Sequence, residues 1–157
     1  MTKKRKSRRL VVDACVARAA GDTEHPVSSA CRFFLEEVLR ICHHTVMTDD
    51  VNREWKRHQS KFTQKWRAAM TARKKAPRTV AAPSLSIDYS GCAEKTKDAI
   101  EKDRCLIEAA RATDNIIVTL DKALREALMT VPDGHKLAKD VTWVDPVADG
   151  AEVLKRL

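Results

Sequence analysis

The stretch Asn115-Ile116-Ile117-Val118-Thr119-Leu120-Asp121 is the clearest strand signal in this chain, and it runs directly into an acid. A short apolar run bounded by polar residues is the pattern of a buried strand. Near the start of the chain, Arg8-Arg9-Leu10-Val11-Val12-Asp13 repeats the arrangement, again with an acid closing the run. Two strands that each deliver a carboxylate at the carboxyl end suggest a single edge of a parallel sheet, where ligands of open α/β sheets bind.

Working outward, Gly21 to Pro26 reads as a loop by its turn residues. Ser28 or Ser29 can cap a helix from about Ala30 to His43, followed by a brief strand Thr45–Thr48. Thr48 or Asp49 then starts a second helix, on which Val51, Trp55, His58, Phe62, Trp66 and Ala69 fall on one stripe. That stripe suits either the core or a homodimer contact. Residues 71–83 read as a basic loop or frayed helix end, and Leu85–Tyr89 as a small strand or turn. A long helix is expected over Ala93–Ala112, a helix after Asp121 to about Met129, a turn at Pro132-Asp133-Gly134, a strand at Val141–Val144 and a closing helix over Asp149–Leu157. Short strands alternating with longer helices predict a three-layer α/β/α sandwich around a central parallel sheet of four to five short strands.

At 157 residues the chain is expected to form a single domain over 8–157, preceded by a basic, disordered arm at 1–7. Hydrophobic residues make up 43% and aromatic residues 4%, so the core must be aliphatic. No run approaches the roughly 20 apolar residues of a membrane span, and the basic start is not followed by an unbroken apolar stretch. Five cysteines without a C-x-x-C pair point to a reducing compartment, so a cytoplasmic location is expected.

The net charge of +8 is unevenly spread. Residues 1–9 hold six basic groups and no acid, while residues 52–78 hold ten basic groups against the single acid Glu54. Basic charge gathered in two stretches and acidic charge elsewhere suits a protein that grips a polyanion at one place and holds cations at another. Lys56, Arg57, Lys61, Lys65, Arg67, Arg73, Lys74, Lys75 and Arg78 are the candidate nucleic-acid contacts. The plain alternative is a solvated helix face.

Two further acids stand at odd places. Asp103 lies beside the apolar positions Ile100, Ile107 and Ala110 of its helix, and Glu54 follows Val51 by three and adjoins Trp55. Carboxylates near apolar stripes need partners. A divalent cation with oxygen ligands would serve all four acids, Asp13, Glu54, Asp103 and Asp121. Singly, each has another reading: Asp13 and Asp121 as helix caps, Asp103 paired with Lys102 or Arg104, Glu54 paired with Arg57 or His58. Cys42-His43-His44 invites a zinc reading but lacks a matching second half.

The motifs Leu10-Val11-Val12-Asp13-Ala14, Val51-Asn52-Arg53-Glu54-Trp55, Lys102-Asp103-Arg104-Cys105-Leu106-Ile107-Glu108-Ala109-Ala110 and Ile116-Ile117-Val118-Thr119-Leu120-Asp121 together resemble, in order and spacing, those of the PIN-domain family. The resemblance spans roughly residues 8 to 146. It implies a metal-dependent endoribonuclease in which Asp13, Glu54, Asp103 and Asp121 ligate or orient Mg²⁺ or Mn²⁺, Thr119 supports the site, and a metal-activated water attacks the phosphodiester. Many members are toxins of type II toxin–antitoxin pairs (the VapC type), so a cognate antitoxin and a homodimer are implied partners beside the RNA substrate. The chain departs from the family where a further acid is often found after the T-x-D aspartate, since Arg125 stands there, and this puts a second metal position in doubt. A catalytically silent RNA-binding or scaffold protein of the same fold is the competing reading. A haloacid-dehalogenase phosphatase would need a second Asp where Cys15 stands, and a response-regulator receiver would need an acidic pair and a late Lys that are not clear here.

Overall fold

The computed structural model describes residues 6–157. Its described residues form four strands, β1 (Arg9–Val12), β2 (His44–Thr45), β3 (Ile116–Val118) and β4 (Thr142–Val144). Seven α-helices lie between them: α1 (Ala14–Ala19), α2 (Pro26–Ile41), α3 (Asp49–His58), α4 (Lys61–Ala72), α5 (Glu94–Arg111), α6 (Ala123–Met129) and α7 (Pro132–Asp140), with a 3₁₀ turn at Ala151–Lys155 after β4. The strands make one parallel sheet in the order β2-β1-β3-β4. The architecture is an α/β/α sandwich: α6 packs against both α5 and α7, while α2 packs against α1, α4 and the 3₁₀ turn.

Strand order places the chemistry. From β1 the chain moves outward to β2, then returns past β1 to β3, so the direction of winding reverses between β1 and β3. A crevice opens beyond the carboxyl ends of strands at such a reversal. Val11 pairs with Ile117 and Val12 with Val118, which brings the next residues, Asp13 and Thr119, level with each other at the sheet's edge. The Asp13 N–H continues the ladder by donating to Val118 O at 2.9 Å, and the Thr119 N–H donates to Val144 O at 2.9 Å.

The core is aliphatic with two indoles at its centre. Leu10, Val11, Val12, Ile117 and Val118 are fully buried, as are Phe34, Leu35, Ile100, Ile107 and Trp55. Trp55 and Trp66 stand buried with ring centroids 6.0 Å apart, and Phe62 packs partly buried against the same core, so of the two readings of the stripe the core is the one its packing fits. His43 is buried too: its Nδ1 accepts from the Arg8 N–H and its Nε2 donates to Leu154 O, both at 2.9 Å. Both ring nitrogens are thereby used, which leaves none for zinc.

Several boundaries differ from the sequence expectations for identifiable reasons. The single helix expected after Thr48 is two, because Ser60 stops the first and caps the second by accepting from the Thr63 N–H at 3.1 Å. The helix expected from Ala30 starts at Pro26, where proline suits the first helical position and the His25 ring caps Val27 N. The short helix α1 escaped detection, because its Ala-rich sequence carries no long apolar period. Pro132-Asp133-Gly134 is no turn but the first turn of α7, and a Cβ at Gly134 would run into the Leu128 carbonyl where α6 and α7 meet. Leu85–Tyr89 is irregular, the second strand is confined to His44–Thr45, and the closing helix is a 3₁₀ turn. The basic arm expected over 1–7 falls largely outside the described residues, but Ser7 is anchored, bonding Cys42 O at 2.7 Å and His44 Nδ1 at 2.8 Å.

Candidate metal centre

All four predicted acids line one cavity of about 340 Å³ at the β1/β3 reversal, together with Cys15, Arg18, His58 and Lys102. They come from four different places in the fold, and each is held by its own local device. Asp13 caps α1, accepting weakly from the Cys15 N–H at 3.4 Å, and its other oxygen accepts from the Thr119 hydroxyl at 2.8 Å. The same Thr119 oxygen accepts from the Asp121 N–H at 3.0 Å, so one buried hydroxyl fixes both strand-end acids. Asp121 in turn accepts from the Ala123 N–H at 2.8 Å and stands exposed at the head of α6. The cap reading holds for Asp13, which is the N-cap of α1, and not for Asp121, which stands one residue before the α6 N-cap Lys122; both still line the cavity.

Glu54 reaches the site through its neighbour. The fully buried Trp55 donates its indole N–H to Val12 O at 2.8 Å, which pins α3 to the last residue of β1. Glu54, one residue earlier, is carried to the cavity rim, where its oxygens lie 3.9 Å from Arg57 Nη1 and 3.8 Å from His58 Nε2. Its carboxylate is 45% exposed, so these contacts are loose and solvated.

Asp103 is the most perturbed of the four. Arg104 pairs with Glu101 at 3.1 Å, and Asp103 itself has no ion pair among the described residues. Burial pushes its carboxyl up to about 6, with the negative charges of Asp13, Asp121 and Glu54 adding to the rise and Lys102 opposing it. A carboxyl that senses three others is the electrostatic mark of a shared site. Burial, with Asp13 second, also pushes the Cys15 thiol up to about 11, so it stays protonated and is no competitor for a hard cation.

The four carboxylates are a donor set that suits Mg²⁺ or Mn²⁺: oxygen ligands in an open cavity where they outnumber the cations Arg18 and Lys102. Among the described residues, however, no three His, Cys, Asp or Glu groups are drawn together tightly enough to hold an ion as a ready shell. The acids share a cavity and sense one another's charge without forming a ready ligand shell.

Sequence reasoning overlooked Arg18 and Lys102. Both line the acid cavity, both are exposed, and neither forms an ion pair among the described residues. Lys102 was visible as the neighbour of Asp103; Arg18 sits one turn after Ala14 on the helix that was missed.

The basic residues of 52–78 do not form one face. Lys56 and Arg57 are exposed on α3, with Arg57 at the cavity rim, and Lys61 and Lys65 are exposed on α4. Arg67 is half-buried, bonds Asn52, and has its pKa lowered by burial. Arg78 pairs with Asp49 at 2.9 Å, and these four residues line a separate cavity of about 430 Å³. Lys75 donates to Cys42 O at 3.3 Å, and Arg73 and Lys74 are exposed at the end of α4. No helix among the described residues is long and apolar enough to cross a membrane. No protein-family profile matches the chain, and no curated protein matches it.

Proposed function

We propose that this chain is a PIN-type endoribonuclease that hydrolyses RNA phosphodiester bonds at the acid cavity with the help of Mg²⁺ or Mn²⁺. The observation that carries the reading is the convergence of Asp13, Glu54, Asp103 and Asp121, from four separate places in the chain, on one cavity at the winding reversal of the sheet. Four carboxylates that repel one another in a partly desolvated place are costly unless a cation neutralises them.

Asp13, Asp103 and Asp121 would hold the ion, with Glu54 at the rim. When bound, the metal supplies positive charge and Lewis acidity at a phosphate and makes the attacking water more acidic. The chain's own groups set up the rest. Thr119 donates to Asp13 and accepts from the Asp121 backbone, so it locks the two carboxylates in register. Arg18 and Lys102, unpaired among the described residues, bring positive charge to the same cavity and can orient a phosphodiester. The exposed Lys56, Arg57, Lys61 and Lys65 extend phosphate contact away from the cavity. Within this reading the chain is the toxin of a type II pair, and a neighbouring antitoxin gene is expected.

A second reading, a catalytically silent RNA-binding or scaffold protein, is favoured by one observation: the acids are not gathered as a ready ligand shell. Incubation with structured RNA in Mg²⁺ or Mn²⁺, in parallel with Asp13→Asn and Asp103→Asn, separates the two. Cleavage by the wild type alone is the expected result. Equal cleavage by all three proteins contradicts the site, and absence of cleavage of any RNA or DNA favours the silent protein.

A further inference from the structure

A second cavity, of about 220 Å³, shares Asp121 with the acid site and extends away from it along the end of β4. Its distinctive wall is Trp143. This indole is half-buried, whereas Trp55 is fully buried and Trp66 is 4% exposed. The Trp143 N–H is already spent on Ala138 O at 2.9 Å, so the ring is held in place and its polar edge needs nothing more. What remains for a ligand is aromatic surface.

The wall carries charge of both signs. Lys122 and Arg125 line the cavity, are exposed, and form no ion pair among the described residues. Of the three acids of the same wall, Asp121 is shared with the acid site, and the other two accept within their own turn: Asp145 Oδ1 from the Val147 N–H at 2.8 Å, and Asp149 Oδ2 from the Asp145 N–H at 2.8 Å. A fixed aromatic ring beside two free cations, in a cavity that adjoins the acid site through Asp121, matches what binds single-stranded nucleic acid: a stacking platform with backbone contacts.

Resting on the nuclease reading above, we propose that the Trp143 cavity is a nucleotide subsite. An unpaired base adjacent to the cleaved phosphodiester stacks on Trp143, and Lys122 and Arg125 hold the phosphate beside it. The site therefore favours single-stranded segments, because a paired base cannot turn onto the ring.

The test is a titration with hexa-adenylate RNA at low salt, with Ca²⁺ in place of Mg²⁺, following tryptophan emission. Wild-type emission is expected to change saturably. Trp143→Leu is expected to lose the change and to weaken binding about tenfold, the scale of one stacked base. Trp143→Phe, which keeps a ring, is expected to bind within about twofold of wild type, because stacking tolerates any π-face. Lys122→Ala with Arg125→Ala is expected to weaken binding and flatten its salt dependence. Equal affinity of wild type and Trp143→Leu, or an emission change that persists in Trp143→Leu, would overturn the subsite; a protein partner in this cavity would give that same equality. If affinity is equal while Asp13→Asn still abolishes metal-dependent cleavage, the subsite alone is wrong. If the wild type neither binds nor cleaves RNA, both readings fall.

Discussion

The acid crevice and the basic segment 52–78 are built in opposite ways. The crevice gathers residues far apart in the chain, from Asp13 to Asp121, because the ends of β1 and β3 meet at a reversal and α3 and α5, which carry Glu54 and Asp103, pack beside them. The basic segment is contiguous in sequence and yet scatters, because Ser60 breaks it into two helices and Arg67, Lys75 and Arg78 are drawn into separate local contacts. Topology concentrates; helical periodicity disperses. An acid at the end of a parallel strand is therefore stronger evidence for a site than a long basic stretch.

The largest expected effect comes from breaking the convergence itself. Asp13→Asn and Asp103→Asn should each reduce metal-dependent RNA cleavage by more than roughly a hundredfold, since even outer partners of metal ligands cost about 10–100-fold. Initial-rate assays on correctly folded variants check this. Thr119→Val should fall in that lower range, roughly 10–100-fold, because it frees both aspartates without removing either. If Thr119→Val retains full activity, the hydroxyl bridge matters only for packing.

Stability probes come next. Trp55→Ala should cost roughly 3–5 kcal/mol in denaturant unfolding, for it opens a cavity and frees the end of β1 beneath Glu54. In the basic segment the contrast should reverse by position. Arg67→Ala is expected to lower stability, since its guanidinium is half-buried against Asn52, whereas Lys61→Ala with Lys65→Ala should leave stability intact and weaken RNA binding. For single-stranded RNA the salt slope should become shallower by about 0.7 for each phosphate that the variant no longer neutralises. Equal behaviour of the two sets would mean that the segment acts as one surface after all.

The smallest effect is in pH. The Asp103 carboxyl is raised from 3.8 to about 6, so the folded state holds its proton more tightly than the unfolded chain does. The associated stability is complete below the unfolded value and is lost as pH rises through about 6. After allowance for partial solvent exposure this amounts to about 2 kcal/mol. Denaturant unfolding of the wild type against Asp103→Asn at pH values from below 4 to above 6 isolates it, the difference narrowing or reversing as the wild-type carboxyl ionises.

The α/β class, the strands at Leu10–Val12 and Ile116–Val118 and the place of the acids at their ends were legible because buried strands leave short, unmistakable apolar runs. The grouping of Asp103 with the others was legible through its position beside an apolar stripe and through the resemblance of its motif. What the sequence did not disclose depends on tertiary neighbours. The reversal point needed the strand order, the helix at Pro132 needed the Leu128 carbonyl that Gly134 admits, and Arg18 needed a helix too short to show a period. Trp143 had no signal at all in one dimension, since half-burial beside Asp121 follows from the pairing of β3 with β4.

The central claim is that the four acids form one cation site, and thermal melting with Mn²⁺ tests it most directly. A site occupied at about one hundred times its dissociation constant gains about 2.7 kcal/mol, worth several degrees in a domain of this size. The wild type should rise in Tm by that order with millimolar Mn²⁺, while Asp103→Asn and Asp13→Asn should respond little. An unchanged wild-type Tm, or the same rise in all three proteins, would contradict the account.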